Sequence, residues 1–339
     1  IYSRGYSTLF NEWQTTDEAQ ITWKSFSESI IFPYPRNPVI VEFFGRKSDN
    51  TWVKKYEIEV NPSNYFIKTE RIAFADTFNI HYSGNPNENL DIVIISEGYT
   101  HEEMEKFIED AARFAGYILN CDPFLKYKDY INIWGVKAIS HDSGTDLPGK
   151  NIWKNTALNS SFYTFDSERY LTTTDYKSVR DYASNVPYDQ IVIIVNTKKY
   201  GGGGIFNFFS LTSSDHQLAD FLITHEFGHG FAGLADEYYT SDVSYEEFYN
   251  LTAEPWEPNI TTLINFENKW KYMLAKDTPV PTPAESQFSE IIGVFEGGGY
   301  VPKGVFRPYI DCTMKSTVYN SFCPVCLKTI EKMIKFYSR

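Results

Sequence analysis

Residues 225–239 read His225-Glu226-Phe227-Gly228-His229-Gly230-Phe231-Ala232-Gly233-Leu234-Ala235-Asp236-Glu237-Tyr238-Tyr239. Leu218, Phe221, Leu222 and Ile223 lead into it as an apolar run at helical spacing, which puts His225 and His229 on one helix face, one turn apart. Two imidazole nitrogens so placed can reach a single tetrahedral ion at about 2.0 to 2.1 Å each. Glu226 projects into a neighbouring sector. Its carboxylate can hold a water whose pKa the ion lowers toward about 7, take its proton and pass it on to a leaving amine.

Such an ion needs a third ligand. A helix continued to Asp236 would carry that residue about 10 Å along the axis from His229, too far to share the ion. A left-handed turn at Gly233 would end the helix and swing the chain back. Asp236, three residues beyond that glycine, is the expected ligand, with Glu237 as its competitor.

Working outward, Tyr200 and the run Gly201-Gly202-Gly203-Gly204 open a strand over residues 205–211. No Lys-Ser/Thr follows, so the run is not a phosphate-binding loop. Further upstream, residues 91–96 (DIVIIS) and 190–196 (QIVIIVN) are continuous apolar runs of the kind found in strands buried on both faces. Thr100 and Glu103 form a capping-box pair, followed by Met104, Phe107, Ile108, Ala111, Ala115, Ile118 and Leu119 at helical spacing. Residues 131–139 read as another strand. Strands alternating with helices predict a sheet with helices packed on it. Between them, residues 141–175 form a long polar segment of the sort that usually carries function.

The N-terminal part reads differently. Residues 20–26, 39–45 and 52–60 are β-branched and aromatic runs separated by turn formers, with no strong helical period. A turn-rich stretch over residues 82–88 follows, and the domain boundary is placed near Phe78, giving an N-terminal β domain over 1–78 and the histidine-bearing domain over 79–339.

At 339 residues, the chain exceeds one average domain of about 150 residues. With 42% hydrophobic and 22% charged residues it can bury a sizeable core. No stretch approaches the roughly 20 apolar residues that span a bilayer. A net charge of −13 repels nucleic-acid phosphates and anionic membrane surfaces, and no local basic patch offsets it. There is no G-x-S-x-G elbow, and Cys121 lacks a cysteine-protease signature. His141, Asp142 and Asp146 could hold calcium or line a cleft; a structural role is the expectation. Cys312, Cys323 and Cys326 cluster near the C-terminus, but no second C-x-x-C completes a four-thiolate zinc site. A structural role, with a disulfide involving Cys312, is therefore expected.

The segment HEFGHGFAGLADEYY resembles the active-site segment of the IgA peptidases, peptidase family M64, which are metzincin-like zinc endopeptidases of bacteria. The resemblance extends through the strand and helix from Asp91, the segment SHDSGTDLPGK (140–150), the glycine run, and CTMKS (312–316) and CPVC (323–326). It implies an α+β or α/β architecture: an N-terminal β-sandwich followed by a zinc peptidase domain with a mixed sheet and an active-site helix. It implies one catalytic Zn2+ held by His225, His229 and Asp236, with Glu226 as general base. Met314 resembles the Met-turn residue beneath the metal, and Tyr319 the tyrosine that stabilises the oxyanion. The glycine-run strand would be an edge on which an extended substrate pairs. The implied substrate is a protein or peptide, such as an immunoglobulin or a gut or host glycoprotein, cleaved by a monomer that is secreted, periplasmic or on the cell surface. The chain opens at Ile1 with no apolar leader, so a signal segment is expected outside this sequence. The sequons at Asn159, Asn250 and Asn259 are then chance matches.

The chain departs from the wider metzincin pattern HExxHxxGxxH: Ala232 and Ala235 stand at the usual glycine and third-histidine positions. Two rival readings remain at this level. One is a surface binding protein with a structural or vestigial metal site; the other is a zinc hydrolase of non-peptide amides. A structural site is closed by four protein ligands, whereas a catalytic one leaves a position for water.

Overall fold

The computed structural model describes residues 1–47, 49–70, 74–239, 249–318 and 321–338. Tyr319 lies outside the described residues.

In chain order the elements are α1 (Phe10–Trp13), α2 (Asp17–Ile21), β1 (Val39–Arg46), β2 (Trp52–Val60), β3 (Thr77–His81), β4 (Leu90–Glu97), α3 (Met104–Leu119), α4 (Phe124–Tyr127), β5 (Ile131–Val136), α5 (Tyr176–Ala183), β6 (Gln190–Val195), β7 (Gly202–Ile205), β8 (Phe209–Ser213), α6 (Ala219–Ala232), β9 (Phe295–Gly298), β10 (Val301–Arg307) and α7 (Pro324–Tyr337). Six strands form one mixed sheet in the order β3-β5-β4-β6-β8-β7. The inner four are parallel, and β3 and β7 run antiparallel at the two edges.

The apolar runs of β4 and β6 explain the layering. Side chains alternate across a strand, so Ile92 and Ile94 of β4 and Val192 and Ile194 of β6 enter a core built with α3, α6 and α7. Val93 and Ile95, with Ile191, Ile193 and Val195, enter a second core on the opposite face with α5 and the long polar segment. Burial on both faces demands continuous Val/Ile runs, and both strands have them. The capping box ahead of α3 is formed, with the Thr100 N–H donating to Glu103 Oε2 at 2.9 Å.

The N-terminal region corrects the expected β-sandwich. Ahead of β3 its described residues form α1, α2 and a single antiparallel hairpin of β1 and β2. The strand expected over 20–26 is absent. Thr16 instead caps α2 by accepting the Ala19 N–H, and Asp17 and Glu18 favour the helix start. Phe26, whose aromatic character read as strand, packs on Phe10 and Trp13. The strand expected over 205–211 is in fact a hairpin, β7 and β8, broken by Asn207 at φ 57°, a left-handed conformation that asparagine tolerates. Strand β3, which straddles residue 78, pairs with β5 in the main sheet.

The polar segment is ordered by a buried carboxylate. Glu97, at the end of β4, accepts the Leu158 and Ser160 N–H groups at 2.8 Å each and the Thr156 hydroxyl. Asp142 accepts the Asn155 N–H and Asp146 the Lys154 N–H, so these two carboxylates serve the loop, as expected of structural residues.

Candidate metal centre

Helix α6 is buried almost all round, with Ile223, Phe227 and Phe231 in the core, and it presents His225, Glu226 and His229 to a cleft of about 2620 Å³. It sits close on the edge strand because β7 is glycine. A Cβ on Gly204 would lie 2.4 Å from the Glu226 carbonyl oxygen and 2.7 Å from His229 Cβ; one on Gly202 would lie 2.8 Å from Glu226 Cγ. The glycine run therefore makes room for the helix. Its outer edge is already engaged at Gly202, whose carbonyl accepts the Leu171 N–H at 3.3 Å.

The helix ends as the glycine predicts. Gly233 adopts φ 63° and ψ 32°, a left-handed conformation, and the Leu234 N–H reaches back to the Gly228 carbonyl at 3.2 Å. The chain then returns to the histidines. Asp236 Oδ1 lies 3.1 Å from His225 Nε2 and 3.4 Å from His229 Nε2, and the two Nε2 atoms are 3.1 Å apart. Ligands at about 2.0 to 2.2 Å from a tetrahedral zinc would stand about 3.3 to 3.6 Å apart, so this triangle matches one face of such a site. Asp236 Oδ1 is buried and, among the described residues, has only these two ring nitrogens before it, a position that a cation would satisfy.

Both rings are oriented for this. His225 Nδ1 is 2.9 Å from the Thr313 carbonyl, and His229 Nδ1 is 2.6 Å from the Leu234 carbonyl. A carbonyl only accepts, so each Nδ1 carries a proton and each Nε2 is turned to the shared point, where its lone pair would serve an ion. Burial works against charge on the rings, but Asp236 outweighs it, raising His225 and pushing His229 up to about 9. Burial opposes the Asp236 charge too, yet the two rings hold its carboxyl far below the ordinary range. Burial raises Glu226, against the pull of both histidines.

The sequence reading placed Asp236 and Glu237 in competition. The structure sends them opposite ways: Asp236 joins the histidines, and Glu237 joins Cys312, Cys323 and Cys326. Met314 is fully buried, its sulfur 2.7 Å from where a Cβ on Gly228 would stand, so the thioether lies against α6 between the two histidine positions. The expected disulfide is not formed; all four cysteines are free thiols, with Cys312 and Cys326 sulfurs 3.9 Å apart.

Several residues at the site gave no signal in the sequence reading. Tyr300, at the turn between β9 and β10, donates its hydroxyl to Asp236 Oδ2, while the Gly299 and Tyr300 N–H groups hold the Asp236 and Tyr238 carbonyls at 2.9 Å each. Asn259, noted only as a sequon, is fully buried; its amide clamps Ala235 from both sides and donates to Glu237 Oε1 at 2.9 Å. Glu12, from α1, reaches the cleft, hydrogen-bonds Tyr170 and lies within electrostatic reach of His229, Asp236 and Glu226; burial pushes its carboxyl up to about 7. Arg169 also lines the cleft, within electrostatic reach of Tyr238, Tyr200, Asp236 and Tyr300.

A mixed sheet thus carries a helix with two histidines, an adjacent glutamate and a returning carboxylate beside a cleft, a donor set that could hold a metal ion. Comparison with known families makes the assignment particular. The profile described as IgA Peptidase M64 matches residues 78–291 and 284–334, and that described as Peptidase M64 N-terminus matches residues 1–57. The chain belongs to the IgA Peptidase M64 family. No curated protein matches it at a significant level.

Proposed function

We propose that the chain is a zinc-dependent endopeptidase, with His225, His229 and Asp236 as ligands of one catalytic ion and Glu226 as general base. The observation that carries this reading is the triangle of Nε2, Nε2 and Oδ1 atoms at 3.1 to 3.4 Å, with both outer ring N–H groups spent on backbone carbonyls.

Zinc, when bound, supplies Lewis-acid polarisation of a water and of the scissile carbonyl. The chain's own groups do the rest. Glu226, raised by burial and set beside the glycine edge, takes the proton of the attacking water as the new C–O bond forms. It then gives that proton to the amine nitrogen as the C–N bond breaks. His225 and His229 keep their Nδ1 protons on Thr313 and Leu234 throughout, and Tyr300 fixes the free oxygen of Asp236. Met314 packs behind α6, in keeping with the metzincin likeness. Arg169 and Tyr238 line the cleft together with Asp236, and we assign them to the carbonyl oxygen; Tyr319 is a proposal from the resemblance alone.

A cleft of about 2620 Å³ has room for several residues of an extended chain, which favours cleavage within a polypeptide. We take the enzyme to act as an exported or surface-attached monomer on protein substrates, immunoglobulin or gut glycoproteins among them, with the peptidase unit beginning near residue 78. The test is digestion of a denatured protein mixture. New peptide termini are expected with the untreated protein, none after chelation, and their return on adding zinc. A surface binding protein, or a hydrolase of non-peptide amides, would leave the mixture intact in every arm.

A further inference from the structure

We propose that Glu237, Cys312, Cys323 and Cys326 form a second, closed zinc site directly behind the catalytic cluster, one that holds the catalytic ligands in place.

The geometry is that of a tetrahedral ion. The four ligand atoms all lie within 4.8 Å of one another. Zinc bonds of about 2.3 Å to sulfur and 2.0 Å to oxygen require S···S edges of about 3.8 Å and S···O edges of about 3.5 Å. The Cys312 and Cys326 sulfurs are 3.9 Å apart, and Cys326 sulfur is 3.4 Å from Glu237 Oε1. Cys323 and Cys326 sit at the head of α7, the usual placement of a paired-thiol half-site, and the Cys323 N–H donates to Cys312 sulfur at 3.2 Å.

Burial points the same way. Glu237, Cys312 and Cys326 are 0% exposed and Cys323 is 2% exposed. Glu237 Oε2 has no hydrogen-bond partner among the described residues, although a buried carboxylate oxygen left unsatisfied is costly. Asn259 and Cys326 reach Oε1 and the Arg307 guanidinium lies within electrostatic reach, yet none of them satisfies Oε2, which a cation among the thiols would. A disulfide would pair two of the three, strand the third and leave the carboxylate unaccounted for. A redox C-x-x-C pair would need an accessible thiol, and neither Cys323 nor Cys326 offers one. Soft thiolates in tetrahedral array with one carboxylate select zinc, and four protein ligands leave no position for water, so the site is structural.

Its place in the fold gives it a task. Cys312 begins the turn in which the Thr313 carbonyl orients His225 and the Met314 carbonyl accepts the Glu237 N–H at 2.7 Å. Glu237 follows Asp236 in the chain, so the adjacent carboxylates each reach a different ion. The second ion thereby ties the ligand loop, the methionine turn and α7 into one unit beneath α6.

The experiment counts zinc per chain by mass spectrometry in the wild type and in a His225→Ala/His229→Ala variant, which leaves the proposed site untouched, with zinc-edge X-ray absorption on both. Two ions are expected in the wild type and one in the variant, the remaining one showing sulfur at about 2.3 Å. One ion in the wild type that disappears in the variant overturns the second site while leaving the catalytic one standing. One ion that survives in the variant with sulfur neighbours supports the second site and removes the catalytic one. A chain mass two hydrogens short, mapped to a disulfide among Cys312, Cys323 and Cys326, also overturns the proposal.

Discussion

Replacement of Glu226 by Gln is expected to abolish peptide hydrolysis while leaving zinc content and thermal stability at wild-type values. Glutamine has the same shape, so it rests against Gly202 as the glutamate does and leaves His225 and His229 undisturbed. What it lacks is the ability to take a proton from water and return it to the leaving nitrogen. Positioned general acid–base groups contribute roughly 10²- to 10⁴-fold, and in the proposed mechanism one carboxylate performs both transfers, so the loss should fall at the upper end. The check is a turnover assay beside metal analysis on the same preparation. Cleavage at the wild-type rate would mean that some other group handles the proton.

The second large effect is expected from Gly204→Ala. The added Cβ would stand 2.4 Å from the Glu226 carbonyl oxygen and 2.7 Å from His229 Cβ, contacts that no rotamer change relieves because one is backbone and the other is the root of a side chain. Strand or helix must therefore move. Overpacking of this kind costs typically about 1–3 kcal/mol. The displacement falls on the helix turn carrying Glu226 and His229, and a shift of about 1 Å in such groups can cost roughly 100-fold in rate. A lower unfolding midpoint together with a fall in kcat is expected, measured by calorimetry and by kinetics. Unchanged turnover would show that the glycines serve only as a flexible hairpin, or that they accommodate substrate rather than the helix.

How much of this was legible in the sequence follows the range of each interaction. The histidine pair, the glycine stop at Gly233 and the return of Asp236 are encoded within a dozen residues, and helix geometry alone places them. The buried strands β4 and β6 were equally readable because burial on both faces leaves a continuous Val/Ile run. Reading failed where partners are distant. Glu237 looked like a rival of Asp236 because its thiol partners lie about eighty residues downstream, and a carboxylate completing a three-cysteine set has no regular spacing. Asn259 carried only a misleading sequon, and Glu12 and Tyr300 reach the site from segments that local pattern does not connect to it. In the N-terminal region the strands read over 39–45 and 52–60 form the β1–β2 hairpin, whereas residues 20–26 do not form a strand and Phe26 packs on the short helix α1 instead.

Whether two imidazoles and the Asp236 carboxylate share one ion is decided by anomalous diffraction at the zinc edge from crystals of the zinc-loaded protein. The account predicts a peak about 2.0 to 2.2 Å from Nε2 of His225, Nε2 of His229 and Oδ1 of Asp236. No peak at that point, or a peak bonded to the histidines with Asp236 turned away, would contradict it.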